Sequence, residues 1–288
     1  MIAFGCAVTR PGVFEACARP GIERAREEGS LVLEHREGGS IFQAYNALLD
    51  RVRDRDDLEA LVLLHQDTEV VSDDLCARVR EAFADPTVGL AGCAGAVGVR
   101  SLPWWEGTVT WAAFTHRHDR GDLASSSWNP DDLAPYARLG EVEALDGFLL
   151  VLTPWAVREL RFDEGLGALH GYDTDLCLQV REAGRRVVTI DVRAIHHHEL
   201  APFGDTEEWV QAHVALAEKW AGRMPPFGDG TGTWRERALL AEARRDAVRA
   251  QARTAALQAD ARARQIEAAL AEAQASTSWR LTAPLRRP

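Results

Sequence analysis

Short apolar runs and helix-spaced segments alternate along the first third of the chain. Residues 2–8 form an apolar run that stops at Thr9-Arg10-Pro11-Gly12, and residues 13–28 then carry Val13, Cys17, Ile22 and Ala25 at helical spacing up to Gly29. A second run, 31–33, ends on Glu34-His35. Gly38-Gly39-Ser40 then opens a helix with Ile41, Tyr45, Leu48 and Leu49 along one side. The third run covers 58–64. Ser72 is placed to cap a helix bearing Leu75, Val79 and Phe83, with acids in its first turn, and 88–93 is the fourth run. Unbroken apolar runs between helices of 10–15 residues predict an α/β fold, a mostly parallel Rossmann-like sheet with helices on its flanks. Such sheets bind ligands beyond the carboxyl ends of their strands. Thr9, Glu34 and His65-Gln66-Asp67 all fall at such ends.

From 95 to 139 the period is lost. Trp104, Trp105, Trp111 and Trp128 stand among Gly, Ser, Pro and His, which predicts a long excursion over the sheet, of a kind compact domains seldom carry without a use. The pattern resumes at 142–152 as a strand interrupted by Asp146-Gly147. A loop follows at 162–165, then a helix over 172–183 stopped by Gly184, and strands over 187–190 and 192–198. After Asp205 a helix with Trp209, Val210, Val214, Leu216 and Trp220 packs back on the body. Residues 225–232 (PPFGDGTG) read as a linker into a long Ala/Arg/Glu helix over 234–275. Its apolar positions, Leu240, Val248, Leu257, Ile266 and Leu270, are too sparse for a coiled coil, although helix propensity is high throughout. The last segment, 276–286, breaks the pattern with Trp, Leu and Arg. Peripheral contact with an anionic membrane and self-association are the two expectations for it.

Charge narrows the partners. The chain of 288 residues carries −11, yet residues 233–288 hold eleven arginines against six acids, which leaves −16 on the first 232. An acidic body argues against nucleic acid, whose phosphates need clustered cations, and suits a protein that binds metal ions. Five scattered cysteines without a CxxC read as thiols in a reducing compartment. The apolar N-terminus lacks a basic lead, so it reads as a strand rather than a signal peptide. The uncharged stretch 86–99 falls short of the ~20 residues a membrane helix needs. The expectation is a cytoplasmic protein.

Three groups of residues can do chemistry. Asp67 follows a buried strand, where a carboxylate either caps a turn or holds a hard cation that neutralises a diphosphate. Glu69, two residues on, is a second candidate ligand. Asp173 and Asp175 open a helix, which capping and the helix dipole alone would favour. At a spacing of two they do not share a helix face, so one can meet a cleft as a general base while the other supports. His196, His197 and His198 end a strand, and alternation puts the first and third on one side. Beside an acidic cleft they are metal-ligand candidates. Trp104 and Trp105 are either an aromatic platform for an acceptor sugar or core.

Taken in order, these segments resemble the inverting GT-A glycosyltransferases of family 2, over about residues 2–200. LVLLHQDTEV is similar to their metal-binding Asp-x-Asp segment, GYDTDLCLQVREAGRRV to the helix carrying their base, and the His-Gln-Asp variant to a bacterial branch of glycosyltransferase-like proteins. The resemblance implies a nucleotide-sugar-binding half over 1–95 and an acceptor-binding, catalytic half over 96–224, with the helical extension at 233–288. It implies Asp67 as ligand of a divalent cation (Mn²⁺ or Mg²⁺) and of the donor diphosphate, with His196 or His198 closing the metal site. Asp173 would be the base. Thr9, Glu34, Asn46 and Gln66 fall at the nucleotide, and Asp146-Gly147 at the donor–acceptor junction, with Trp104 and Trp105 on the acceptor side. The donor would be a UDP-, GDP- or dTDP-sugar and the acceptor a bacterial cell-surface glycan or glycolipid. Two positions depart from the pattern: His65 stands for the first Asp of the metal motif, and Tyr172 for the Glu of the Glu-Asp pair. The rival readings are a nucleotidyltransferase on a similar sheet, although its Gly-rich, Lys-bearing loop is absent, and a non-catalytic scaffold acting through the long helix. A two-carboxylate glycoside hydrolase leaves the histidines without a role.

Overall fold

The computed structural model describes residues 1–97, 99, 104, 108–118, 121–123, 139–197, 206–223 and 235–275. The chain begins with β1 (Ile2–Ala7), α1 (Pro11–Ala16), α2 (Ala18–Ala25), β2 (Leu31–His35), α3 (Ile41–Asp50) and β3 (Ala60–His65). It continues through β4 (Thr68–Val70), α4 (Leu75–Phe83), β5 (Val88–Gly92), β6 (Ala94–Val97), β7 (Thr108–Ala112), β8 (Phe114–His118) and β9 (Gly121–Leu123). Next come β10 (Glu141–Val142), β11 (Ala144–Leu145), β12 (Leu149–Leu152), α5 (Pro154–Glu159), α6 (Tyr172–Glu182), β13 (Arg186–Thr189) and β14 (Ala194–His196). Two helices close the described chain, α7 (Thr206–Lys219) and α8 (Arg235–Ala275).

Seven strands form the central sheet in the order β10-β13-β5-β12-β3-β1-β2. β2, β1, β3, β5 and β13 share one direction, while β12 runs against β3 and β5 and β10 against β13. The apolar runs of the sequence are what this sheet requires, because it is covered on both faces. Along β1, β3 and β12 the side chains alternate between two cores. Ala3, Leu61, Leu63, Leu150 and Leu152 pack with α3, α5, α6 and α7. Ile2, Phe4, Cys6, Val62, Leu64, Leu149 and Val151 pack with α1, α2 and α4. The five cysteines are buried free thiols.

Several local expectations need correction. The single helix expected over 13–28 is two, α1 and α2, broken at Cys17 and ended at Ala25. Ser72 does not cap α4; its hydroxyl accepts the Arg193 N–H at 2.9 Å, tying the entry of α4 to the residue before β14, and the first turn of α4 holds no acid. The stretch read as a single strand over 142–152 is three, β10, β11 and β12, which join two different sheets. The excursion after residue 95 contains strands: β6 pairs with both β11 and β7, and β8 and β9 join β14 and β4 in a four-stranded sheet. Glycine, histidine and tryptophan at irregular intervals hid this period from the sequence. Trp105, Trp128, His198, the linker at 225–232 and the segment 276–286 lie outside the described residues.

The helix that follows the histidines is bolted to the body through a buried carboxylate. Asp175, fully buried on α6, accepts from Lys219 Nζ at 2.8 Å, Trp220 Nε1 at 2.8 Å and Gln179 Nε2 at 2.7 Å. Lys219 is the one lysine of the chain, and it also reaches Asp163 at 2.7 Å. On α8, Leu257, Ile266 and Leu270 are exposed, in keeping with a seam too weak to bury. No helix among the described residues is long and apolar enough to cross a membrane.

Candidate metal centre and base

The site is built where the small four-stranded sheet meets the carboxyl end of β3. His65 ends β3, and two residues on, after the turn at Gln66, Asp67 turns the same way. β4 and β14 pair antiparallel with Thr68 opposite His196, and the His197 N–H donates to the Asp67 carbonyl at 2.7 Å. This register lays the His196 imidazole beside the Asp67 carboxylate. His196 Nε2 lies 3.4 Å and His65 Nδ1 4.0 Å from Asp67 Oδ1. One ligand atom from each of the three side chains falls within 4.8 Å of the others. Asp67 and His196 are buried, and the His196 ring stacks on Phe148 with centroids 4.8 Å apart. Two imidazoles and a carboxylate converging at this spacing are a donor set that can hold a divalent cation.

Alternation along β14 separates His197 from His196, and Glu69 on β4 sides with His197, whereas Asp67 lies in the turn before β4. Glu69 is turned away from Asp67: its carboxylate meets His197 Nε2 at 3.0 Å and Arg24 Nη2 at 3.3 Å. His197 therefore serves the outer face of β14 while His196 serves the inner one. His116 on β8 pairs with His196 in parallel register, with ring centroids 5.3 Å apart. Arg10, largely exposed, brings Nη2 to 3.9 Å from Asp67 Oδ2.

Asp173 on α6 is linked to the neighbourhood of His65 through Gly147 and the Tyr172 hydroxyl. Its Oδ2 accepts the Gly147 N–H at 3.0 Å and its Oδ1 the Thr174 N–H at 2.8 Å. Burial of the carboxyl, with the charge of Asp146 added, pushes its pKa up to about 7 against the pull of these backbone donors. Asp146 is itself shifted upward by burial, opposed by His196, the Phe148 N–H and the Trp104 indole. Of the two acids that open α6, Asp173 thus holds the backbone of Gly147, beside the Tyr172 hydroxyl, and Asp175 holds α7.

The remaining sequence candidates are placed as follows. Gln66 Oε1 accepts from the Thr9 and Arg10 N–H groups at 3.0 and 2.7 Å, and its Nε2 donates to Thr9 Oγ1 at 2.9 Å, so Thr9 and Gln66 lock the ends of β1 and β3 together. Glu34 stands at the end of β2, two strands from β3, with its carboxylate between Arg19 (2.7 Å) and Arg36. Asn46 on α3 clamps the backbone of Phe162 in both directions at 2.9 Å and donates to Glu164 at 3.1 Å. Trp104 is core rather than open platform: its indole is buried and donates to Asp146 Oδ2 at 2.7 Å. Gly147 leaves room for a tyrosine, because a Cβ there would come within 2.1 Å of Tyr172 Oη. Sequence reasoning missed His65 as a metal-ligand candidate, although its spacing of two from Asp67 was the available signal. It also missed His116, which lies where no period was visible.

Residues 29–216 match the model of a family described as glycosyltransferase-like. A Streptomyces griseus protein, streptomycin biosynthesis protein StrF, is 33% identical over 213 residues, covering 73% of this chain and 71% of StrF. Among solved structures, mannosyltransferase PcManGT from Pyrobaculum calidifontis, in complex with GDP-Man and Mn²⁺, aligns with a TM-score of 0.50 at 17% identity, over 97% of this chain and 82% of that one. GalNAc-T7 with UDP, GalNAc and Mn²⁺ aligns with a TM-score of 0.51 at 11% identity, over 86% of this chain and 54% of that one. At these identities the two structures speak for a common fold, the GT-A sheet with flanking helices.

Proposed function

The chain belongs to the glycosyltransferase-like family and is a transferase; from that premise we propose that it is a metal-dependent, inverting glycosyltransferase that moves a sugar from a nucleotide diphosphate to an acceptor hydroxyl. The observation that carries this reading is the convergence of His65, Asp67 and His196, with Asp173 held beside them through Gly147. In this reading the three side chains hold the cation. Imidazoles with one carboxylate suit Mn²⁺ better than Mg²⁺, which prefers an all-oxygen shell. When bound, the cation supplies positive charge that stabilises the leaving diphosphate. Arg10, exposed at the rim, adds charge on the same side. Asp173 takes the proton of the acceptor hydroxyl, a task that a carboxylate tuned near neutrality performs well. The anomeric carbon passes through an oxocarbenium-like state, and attack from the side of a single base inverts it.

The nucleotide occupies the strand ends bearing Thr9, Gln66 and Glu34, with Asn46 shaping that wall through the loop it clamps. Asp146 and Gly147 line the junction of donor and acceptor, and His198 and Trp105 stay candidates for the metal and acceptor sides. The donor is a UDP-, GDP- or dTDP-sugar; GDP-Man and UDP, carried by the two aligned structures, fall within that set. The acceptor is a glycan or glycolipid at the cytoplasmic face of the membrane. The name of StrF favours a second acceptor class, a soluble biosynthetic intermediate. Residues 1–224 form the catalytic domain, and 233–288 an extension used for membrane contact or self-association. The test is release of nucleoside diphosphate from a donor panel with Mn²⁺ and mixed acceptors, with product configuration read by NMR, repeated on a chain ending at 224. No release from any donor would overturn the reading.

A further inference from the structure

The two positions at which the chain departs from the family pattern, His65 and Tyr172, touch each other. They are 107 residues apart, and His65 Nε2 lies 2.6 Å from Tyr172 Oη. The phenol has no latitude. Tyr172 is 5% exposed, and its ring lies 6.0, 5.6 and 6.2 Å from those of Phe42, Tyr45 and Phe162. Its hydroxyl occupies the space left by the missing side chain of Gly147. An imidazole has two nitrogens, and one engaged at 2.6 Å by a buried, immobile hydroxyl is not free to ligate. The other, Nδ1, faces Asp67.

We propose that Tyr172 is a positioning residue for the metal: by engaging Nε2 of His65 it reserves Nδ1 for the cation. In the loaded protein Nε2 carries the imidazole proton and donates it to the tyrosyl oxygen. This rests on the reading of His65, Asp67 and His196 as the metal site. Metal-bound histidines commonly donate their second N–H to an oxygen acceptor, which fixes both tautomer and ring orientation. Here the acceptor is an uncharged phenol, so it orients the ring without adding negative charge to the site. Tyr172 is also the residue next to the base. The same Gly147 that accommodates the phenol hydroxyl gives its N–H to Asp173, so the metal ligand and the base are positioned against one glycine.

Tyr172→Phe removes the hydroxyl and keeps the ring. Mn²⁺ binding to the full chain, followed by the EPR signal of free Mn²⁺, should weaken by about 10–100-fold, the usual cost of losing an outer partner of a ligand. The Tm of the metal-free protein should fall by no more than about 2–4 °C, the loss of one hydrogen bond, while its rise on adding Mn²⁺ shrinks. A merely structural tyrosine would instead lower both Tm values together. On the wild type, ¹⁵N spectra of histidine-labelled protein loaded with Zn²⁺, with His65 assigned by its loss in His65→Gln, should show Nδ1 bound to metal and Nε2 protonated. A Tyr172→Phe protein that binds Mn²⁺ as tightly as wild type, or a His65 that ligates through Nε2, overturns the inference alone. A wild type that binds no Mn²⁺ overturns the metal reading, and the inference with it.

Discussion

Gly147→Ala is the substitution whose cost the structure specifies most fully. The added Cβ would lie 2.1 Å from Tyr172 Oη, 2.4 Å from Cζ and 2.7 Å from Cε2, against ~3.5 Å for ordinary contact between carbons. The phenol has to retreat by more than ~1 Å. It is hemmed in by Phe42, Tyr45 and Phe162, and it opens α6, so the helix start moves with it. Overpacking of a closed core costs about 1–3 kcal/mol, and the lost bond to His65 adds about 1 kcal/mol. The expected total is about 3 kcal/mol, or a fall in Tm of about 6–12 °C for a chain of this size. Urea and thermal unfolding followed by circular dichroism measure it. Combining Gly147→Ala with Tyr172→Phe should recover only part of the loss, since the clash with Cζ persists. A Gly147→Ala protein within about 0.5 kcal/mol of wild type, the range of harmless surface changes, would refute the packing argument.

Four further outcomes are expected. Asp173→Asn abolishes transfer but retains donor binding, and in the wild type kcat/KM falls as pH drops below about 7 and levels above it, because the base must be ionised; a flat profile between pH 5 and 8 would contradict this. The same carboxyl is more easily protonated in the fold than in the unfolded chain, so its contribution to stability is lost as pH rises through about 7, and Asp173→Asn should leave Tm equal or higher at pH 8. His196→Ala should weaken Mn²⁺ binding at least about tenfold while His197→Ala, whose ring serves Glu69, should not; equal losses in a titration would contradict the alternation. Lys219→Met strands the carboxylate of Asp175, a loss of about 2–3 kcal/mol after allowing for the partial exposure of the lysine; unfolding free energy unchanged to within about 0.5 kcal/mol would show that Trp220 and Gln179 suffice.

The central sheet was legible because strands buried on both faces must be apolar throughout, and helices between them must repeat at 3.6 residues. Asp67, Asp173 and His196 were legible for a related reason: each stands at the end of a regular element, where a strand or helix delivers a polar side chain to the sheet's edge. What escaped depended on tertiary contact. Nothing local distinguishes Trp104 as a buried donor to Asp146 from an open platform. The order of residues 108–123 as strands is set by pairing with β6 and β14, not by an apolar period. His65 and Tyr172 each looked like a lone loss from a motif, and only their contact shows that the two changes belong together.

The position of the cation decides the account. Crystals grown with Mn²⁺ and a nucleoside diphosphate, with data collected at the manganese absorption edge, should show one anomalous peak bound by Asp67, His196 and Nδ1 of His65, with the diphosphate on its open side and Asp173 across from it. A peak held by other residues, or a diphosphate bound with no ion at Asp67, would contradict it.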